Sequence, residues 1–460
     1  MRFLHALIAI AVLGGCASVT PLPPLPPPEP IVPVELEEEG EIAPPLAGRA
    51  ALYAALDSIT GDTLFRSAIL GLLVVDASTG DTLYARNPFT AVMPASNMKL
   101  LTGATALVRL GPDYRYRTTF ALRGTIADST LRGNLLVFGR GDPTISQRMR
   151  GNPMLVLAAI ADSLRARGVA RVTGDLVHAG NAFPGPIHGF GWEWDDLTES
   201  YGAGVDELLF NEGLAFVPGH PTGGDTLSTR PASDPARAYL DALCAALSGR
   251  GVRIDGTTVR DSTASFAAGD LMFELHSPPL REILPAVEQP SQNQIAEVLF
   301  RTLALELTGS GRTDSAARIV TEQLRAWGAD TMQFIVRDGS GLSRHNLVSP
   351  ATVVSLLLAM REHPYYDVFY WSLPGVGSDG TVRTWLRGTR ASEVVRGKTG
   401  TLNMVRAFSG YAESADGRPV VFSFISNHHR TPTAAVTGAI QGMLRALTEI
   451  PLSPVASSGQ

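Results

Sequence analysis

Apolar positions along this chain cluster in runs of two lengths. AILGLLVVD (Ala68–Asp76) is short and apolar at nearly every position, which predicts a strand, with a turn at ASTGD and a second strand at TLYARN. A short helix is predicted before them over about 49–59. Pro94 and Ala95 then introduce a helix that runs to Leu110 and stops at the Gly-Pro pair. Residues 115–280 have another texture: β-branched segments (RYRTTFALRG, GNLLVFGRGDPT, VTGDLVHAG), Gly-rich turns, and helices at 153–167 and 234–248. REILPAVEQPSQNQIAEVLFRTLALELTG returns to long amphipathic helices with PSQN as the break between two of them. SEVVRGKTGTL, RAFSGYAES and RPVVFSFISNH read as three strands, and a helix over 433–449 follows. A hairpin first, strands and a helix last, and helices between them predict an α+β fold, a central antiparallel sheet with helices on its faces. The sheet-forming unit is expected at 49–115 and 280–450, interrupted by an inserted α+β module at 116–279, with 451–460 as a tail.

The first 48 residues follow neither pattern. MRFLHALIAIAVLGGCASVT has one basic residue, an apolar run too short to span a membrane, and then small residues, which predicts a secretory signal peptide over 1–15. LGGC (Leu13–Cys16) resembles a bacterial lipobox and predicts cleavage before Cys16 with a lipid on its thiol. Ordinary cleavage after Ala17 is the alternative. The Pro/Glu-rich stretch of the 16–48 segment cannot bury a core and reads as a linker that would reach roughly 80 Å if extended. The expected location is the periplasm or cell envelope, tethered to the membrane by the N-terminal lipid; Ala17 in place of Asp points to the outer membrane in a two-membrane cell.

The remaining composition narrows the function. A formal net charge of −6 with scattered arginines argues against a nucleic-acid partner. Cys244, the second of two cysteines, falls on the apolar face of the 234–248 helix and reads as a packed core residue. Lysine is nearly absent: the 38 basic residues include only Lys99 and Lys398, the rest being arginine. Arginine serves equally well as a solvated charge. It cannot replace lysine where a proton must leave or a compact ammonium must fit. Both lysines stand in short motifs.

In PASNMKLL, Ser96 and Lys99 are spaced i, i+3 at a helix start, where backbone N–H groups favour an oxyanion and a neutral Lys99 could take the proton of Ser96. RGKTGTL sets Lys398 on a strand, with Gly397 and Gly400 expected to allow close backbone approach to a ligand. SQN places Ser291 and Asn293 in a helix–helix turn, which by itself reads equally as a helix cap.

Ser-x-x-Lys, Ser-x-Asn and Lys-Thr-Gly, in that order, form the set used by penicillin-binding proteins and class A β-lactamases. With LGPDYRYRTT, GRGDPT, GWEWDDL, RDGSGLSRHN and SLPGVGSDGT, the chain resembles the class C low-molecular-mass penicillin-binding proteins, the bacterial D-alanyl-D-alanine carboxypeptidase/endopeptidase family, over about residues 50–450. The resemblance implies a penicillin-recognising, transpeptidase/β-lactamase-like fold and a serine peptidase that cleaves D-Ala-D-Ala ends and cross-links of peptidoglycan peptides. β-Lactams would be its covalent inhibitors, and no metal or cofactor is required.

By the same resemblance, Ser96 is the nucleophile and Lys99 its base. Ser291 returns a proton to the leaving amine, directly or through Lys398, and Asn293 holds the substrate amide. Lys398, Thr399 and Thr401, with Gly400 between them, bind the terminal carboxylate. The backbone N–H groups of Ser96 and Thr401 form the oxyanion hole. A pocket for the free amine of a diaminopimelate side chain is implied at Asp196, Tyr201, Arg344 and Asn403, with a structural ion pair as the plainer reading of Arg344.

Three departures stand out. Gly397 replaces a more usual Ala, with little effect expected. GDLVHAGNAF lacks a usual acidic residue, and the insertion is short. A β-lactamase on the same core and a non-hydrolytic penicillin-binding scaffold are the competing functions.

Overall fold

The computed structural model describes residues 47–216 and 229–453. The leader, Cys16 and all but the last two residues of the linker lie outside the described residues, as does 454–460.

The apolar runs assemble into one five-stranded antiparallel sheet. Its order is Arg396–Leu402, Val405–Glu413, Pro419–Asn427, Ile69–Asp76, Thr82–Arg86. The continuous apolar character of Ile69–Asp76 follows from cover on both faces. Leu70, Leu72 and Val74 pack with the helices Gly48–Thr60 and Thr433–Glu449. Leu73 and Val75 pack with the helices Met98–Leu110, Asn293–Thr308 and Pro350–Arg361 on the opposite face. Strand periodicity thus feeds two cores from one segment.

A second sheet occupies the chain between Arg115 and Pro279, residues that pair with each other. Its main path is Thr258–Asp261, Leu176–Ala179, Thr130–Phe138, Arg115–Ala127, Leu271–Pro279, with Arg171–Val172 and Arg253–Ile254 attached. Helices Pro153–Ala166 and Pro235–Gly249 cover one side through Leu157, Leu164, Leu240 and Leu243. Asn152 and Asp234 cap their N-termini, each followed by a first-turn proline. Cys244 is half-buried at the margin of this core rather than packed inside it. No helix among the described residues is long and apolar enough to cross a membrane.

Candidate active site

The site begins with a strained turn. Ala95–Asn97 form a 3₁₀ turn and the α-helix starts at Met98. Ser96 therefore precedes the helix instead of opening it, while Lys99 sits in the first α-helical turn. Ala95 adopts φ +47°, a left-handed conformation unusual for a residue with a Cβ. Gly341 makes room for it: a Cβ there would lie 1.9 Å from the Ala95 carbonyl oxygen. A Cβ on Gly400 would lie 2.5 Å from the Pro94 oxygen. The close approach expected of Gly400 is thus to the protein's own nucleophile turn. Gly397 is also constrained, since a Cβ would stand 2.6 Å from the Ser409 carbonyl, so alanine is not the neutral exchange that was expected.

Lys99 is fully buried. Its Nζ is hydrogen-bonded to Ser96 Oγ at 3.0 Å, Asn293 Oδ1 at 2.7 Å and the Ser340 carbonyl at 2.7 Å. The three contacts fit both an ammonium that donates to all three acceptors and a neutral amine that donates to two and accepts the Ser96 proton. Burial pulls the Lys99 pKa down to about 8, opposed by the carboxyls of Glu288, Asp338 and Glu297. Lys398 is equally buried and donates only to the Thr399 carbonyl at 3.1 Å. Burial, then repulsion from Lys99, brings it down to about 7; Glu288 opposes this and Arg406 adds to it. The charge of Lys99 thus disfavours a proton on Lys398.

Ser291, at φ +62°, occupies the break between helices Leu280–Glu288 and Asn293–Thr308. Asn293 opens the second helix and bridges the site: its Oδ1 accepts a hydrogen bond from Lys99 Nζ and its Nδ2 donates to the Tyr201 carbonyl at 2.9 Å. Ser96, Ser291, Asn293 and Thr401 line a cavity of about 600 Å³ whose far wall carries Asp196 and Arg344. Lys99, Lys398 and Thr399 do not line this cavity and are buried. The Thr399 hydroxyl is paired with that of Thr381 at 2.7 Å. A larger cavity, about 950 Å³, lies in the insert near Phe210 and Arg237 and holds none of the motif residues.

At the far wall, the Tyr201 hydroxyl donates to Asp196 at 3.1 Å. Burial raises the Asp196 pKa, with the Tyr201 hydrogen bond opposing it and Asp195 and Glu193 adding to it. Arg344 forms an ion pair with Glu193 at 2.7 Å and donates to the Asn403 carbonyl at 3.3 Å. Sequence reasoning missed Glu193 and Asp195, although both stand in GWEWDDL beside Asp196. It also missed Glu288, wholly buried with neither carboxyl oxygen hydrogen-bonded, and Arg406, whose guanidinium donates to the Thr401 hydroxyl.

A serine within reach of a pKa-depressed lysine, on a sheet-and-helix core that supplies a second buried lysine, defines a serine acyl-transfer site. Residues 52–233 and 219–448 match the D-Ala-D-Ala carboxypeptidase 3 (S13) family. The D-alanyl-D-alanine carboxypeptidase of Actinomadura sp. (strain R39) is 30% identical over 452 residues, covering 84% of this chain and 82% of that one. Carboxypeptidase DacB of Mycolicibacterium smegmatis is 30% identical, covering 90% and 87%. The chain belongs to the D-Ala-D-Ala carboxypeptidase 3 (S13) family of serine peptidases. The crystal structure of penicillin binding protein 4 (dacB) from Haemophilus influenzae shares the fold, with TM-score 0.73, 22% identity, and coverage of 85% of this chain and 98% of that one. Bd3459, a predatory peptidoglycan endopeptidase from Bdellovibrio bacteriovorus, has TM-score 0.53 and 17% identity, with coverage of 85% and 96%.

Proposed function

We propose that this protein cleaves D-Ala-D-Ala ends and cross-links of peptidoglycan peptides through an acyl-enzyme on Ser96, and that β-lactams acylate the same oxygen. The observation that carries the reading is the 3.0 Å contact of Ser96 Oγ with the Nζ of fully buried Lys99 at the edge of the cavity. Ser96 attacks the scissile carbonyl as Lys99 takes its proton. Burial brings Lys99 down to about 8, so its neutral, proton-accepting form is within reach. A substrate carboxylate near Lys398 favours the charged form of that lysine. The N–H groups of Ser96 and Thr401 stabilise the oxyanion. Ser291 passes a proton to the departing amine, and water then releases the acyl group. Asn293 holds both Lys99 and the substrate amide.

The acidic wall formed by Glu193, Asp195 and Asp196 suits the free ammonium of a diaminopimelate-type side chain, with Tyr201 orienting Asp196. Asp196→Ala is expected to erase discrimination between stem peptides with and without that amine; unchanged discrimination would remove the pocket. The leader and lipobox support an envelope protein lipidated at Cys16. An unmodified mature N-terminus at Ser18, found by mass spectrometry, would contradict this.

Incubation with a pentapeptide muropeptide and, separately, a chromogenic β-lactam tests the whole reading. D-Alanine or severed cross-links should appear, with slow release of the β-lactam, and Ser96→Ala should abolish both. Rapid β-lactam turnover without peptide cleavage would make it a β-lactamase. Stable acylation without peptide cleavage would make it a scaffold.

A further inference from the structure

Strand pairing sets Arg406 directly across from Thr401. The Arg406 guanidinium donates to Thr401 Oγ and lies over the Trp385 ring, 5.3 Å from its centroid. Its Nε–H is buried with no acceptor. Among other half-buried arginines, Arg123 pairs with Asp270 and Arg344 with Glu193, whereas Arg86 and Arg390 are held by hydroxyl or carbonyl oxygens. Arg406 has no carboxylate partner among the described residues. A half-buried guanidinium without a carboxylate is costly, and this one donates to Thr401, a residue that lines the cavity.

Of the other cations of the site, Arg344 lines the cavity but is already paired, and Lys398 does not line it. Lys398 is turned to the Thr399 carbonyl, and Arg344 is spent on Glu193. Thr401, by contrast, lines the cavity with Ser96. Because Thr401 Oγ accepts from Arg406, its own O–H is free to donate toward a ligand.

We infer that Arg406, with the Thr401 hydroxyl it orients, is the cation that reads the free C-terminal carboxylate of the substrate. This rests on the D-Ala-D-Ala reading above. The arrangement separates two cations of one hairpin: Lys398 stays buried on the Thr399 carbonyl, and Arg406 supplies the permanent charge for the anion. A guanidinium suits that second task because it stays protonated and presents several parallel donors to a carboxylate.

The test uses one acylated D-Ala-D-Ala peptide in two forms, with a free terminal carboxylate and with a terminal amide. Wild-type protein should prefer the carboxylate. Arg406→Gln should lose at least tenfold in kcat/KM on the carboxylate and less than twofold on the amide. Arg406→Lys, which keeps the charge, should retain part of the preference, and it carries the test if the Gln variant does not fold. Equal losses on both peptides, or no loss on either, would overturn the inference. Failure of the wild type to cleave either peptide would overturn the reading beneath it instead.

Discussion

Two groups of buried charges in this molecule are built by opposite rules. In the insert, Glu207 accepts from His178 at 2.8 Å and from the Phe183 N–H at 3.2 Å. Asp206 accepts from the Glu207 N–H at 2.8 Å, and Arg260 approaches Asp206 at 3.3 Å and Glu207 at 3.7 Å. These three side chains have ligand atoms within 4.8 Å of one another, yet Arg260 already supplies the cation they need. At the active site, Lys99, Lys398 and Glu288 are all fully buried without one direct ion pair among them. Glu288 is wedged against Gly103, where a Cβ would come within 2.7 Å of its carboxyl oxygen. Against burial, direct pairing with His178 keeps the Glu207 carboxyl low, while burial and the neighbouring Glu207 push Asp206 up to about 8, so pairing supports the fold without setting every proton. Incomplete pairing leaves groups near neutrality, where a proton can move.

The largest expected effect that separates the two groups is on stability. Glu207→Ala strips buried His178 of its partner and removes the more distant of the two Arg260 carboxylates, and a loss of about 3–5 kcal/mol is expected from denaturant unfolding. The rate of Ser96 acylation per folded molecule should not change. A parallel fall in that rate would break the comparison.

Glu288→Gln should act the other way. Burial holds the Glu288 carboxyl above its ordinary range, so the wild type loses stability as pH rises from about 4.5 through the folded pKa near 7. The variant should therefore melt a few degrees higher than wild type at pH 9 and the same at pH 4. Ionised Glu288 also raises the Lys99 pKa, so its removal should move the acid limb of acylation to lower pH. A limb that stays in place would mean Glu288 does not act on the base. The smallest effect is expected of Gly397→Ala, at about 1–3 kcal/mol from overpacking against the Ser409 carbonyl, readable as a lower melting temperature.

The sheet was legible because its strands are apolar runs of strand length and both flanking helix sets have helical periodicity. Two of the three motifs were legible because lysine is so scarce that Lys99 and Lys398 stand out, and Ser-x-Asn was legible only by its order between them. Arg406 and Glu288 were not. In sequence Arg406 is one arginine among many, and only the hairpin at Leu402–Val405 brings it across from Thr401. Glu288 ends an amphipathic helix, where a charged residue reads as solvated; packing of that helix against Met98–Leu110 buries it. The turn at Ser96 was read as a regular helix start because the left-handed Ala95 is imposed by Gly341 and Gly400, far away in the chain.

The central claim is that lysine stands at position 99 because a proton must come and go there. Lys99→Arg keeps the charge and removes the titratable amine. Labelled penicillin followed by time-resolved gel fluorescence across pH 6–10 measures the result directly. A fall of at least about a thousandfold in the acylation rate of Ser96, with no recovery at high pH, is predicted. Acylation within a few-fold of wild type would contradict the account.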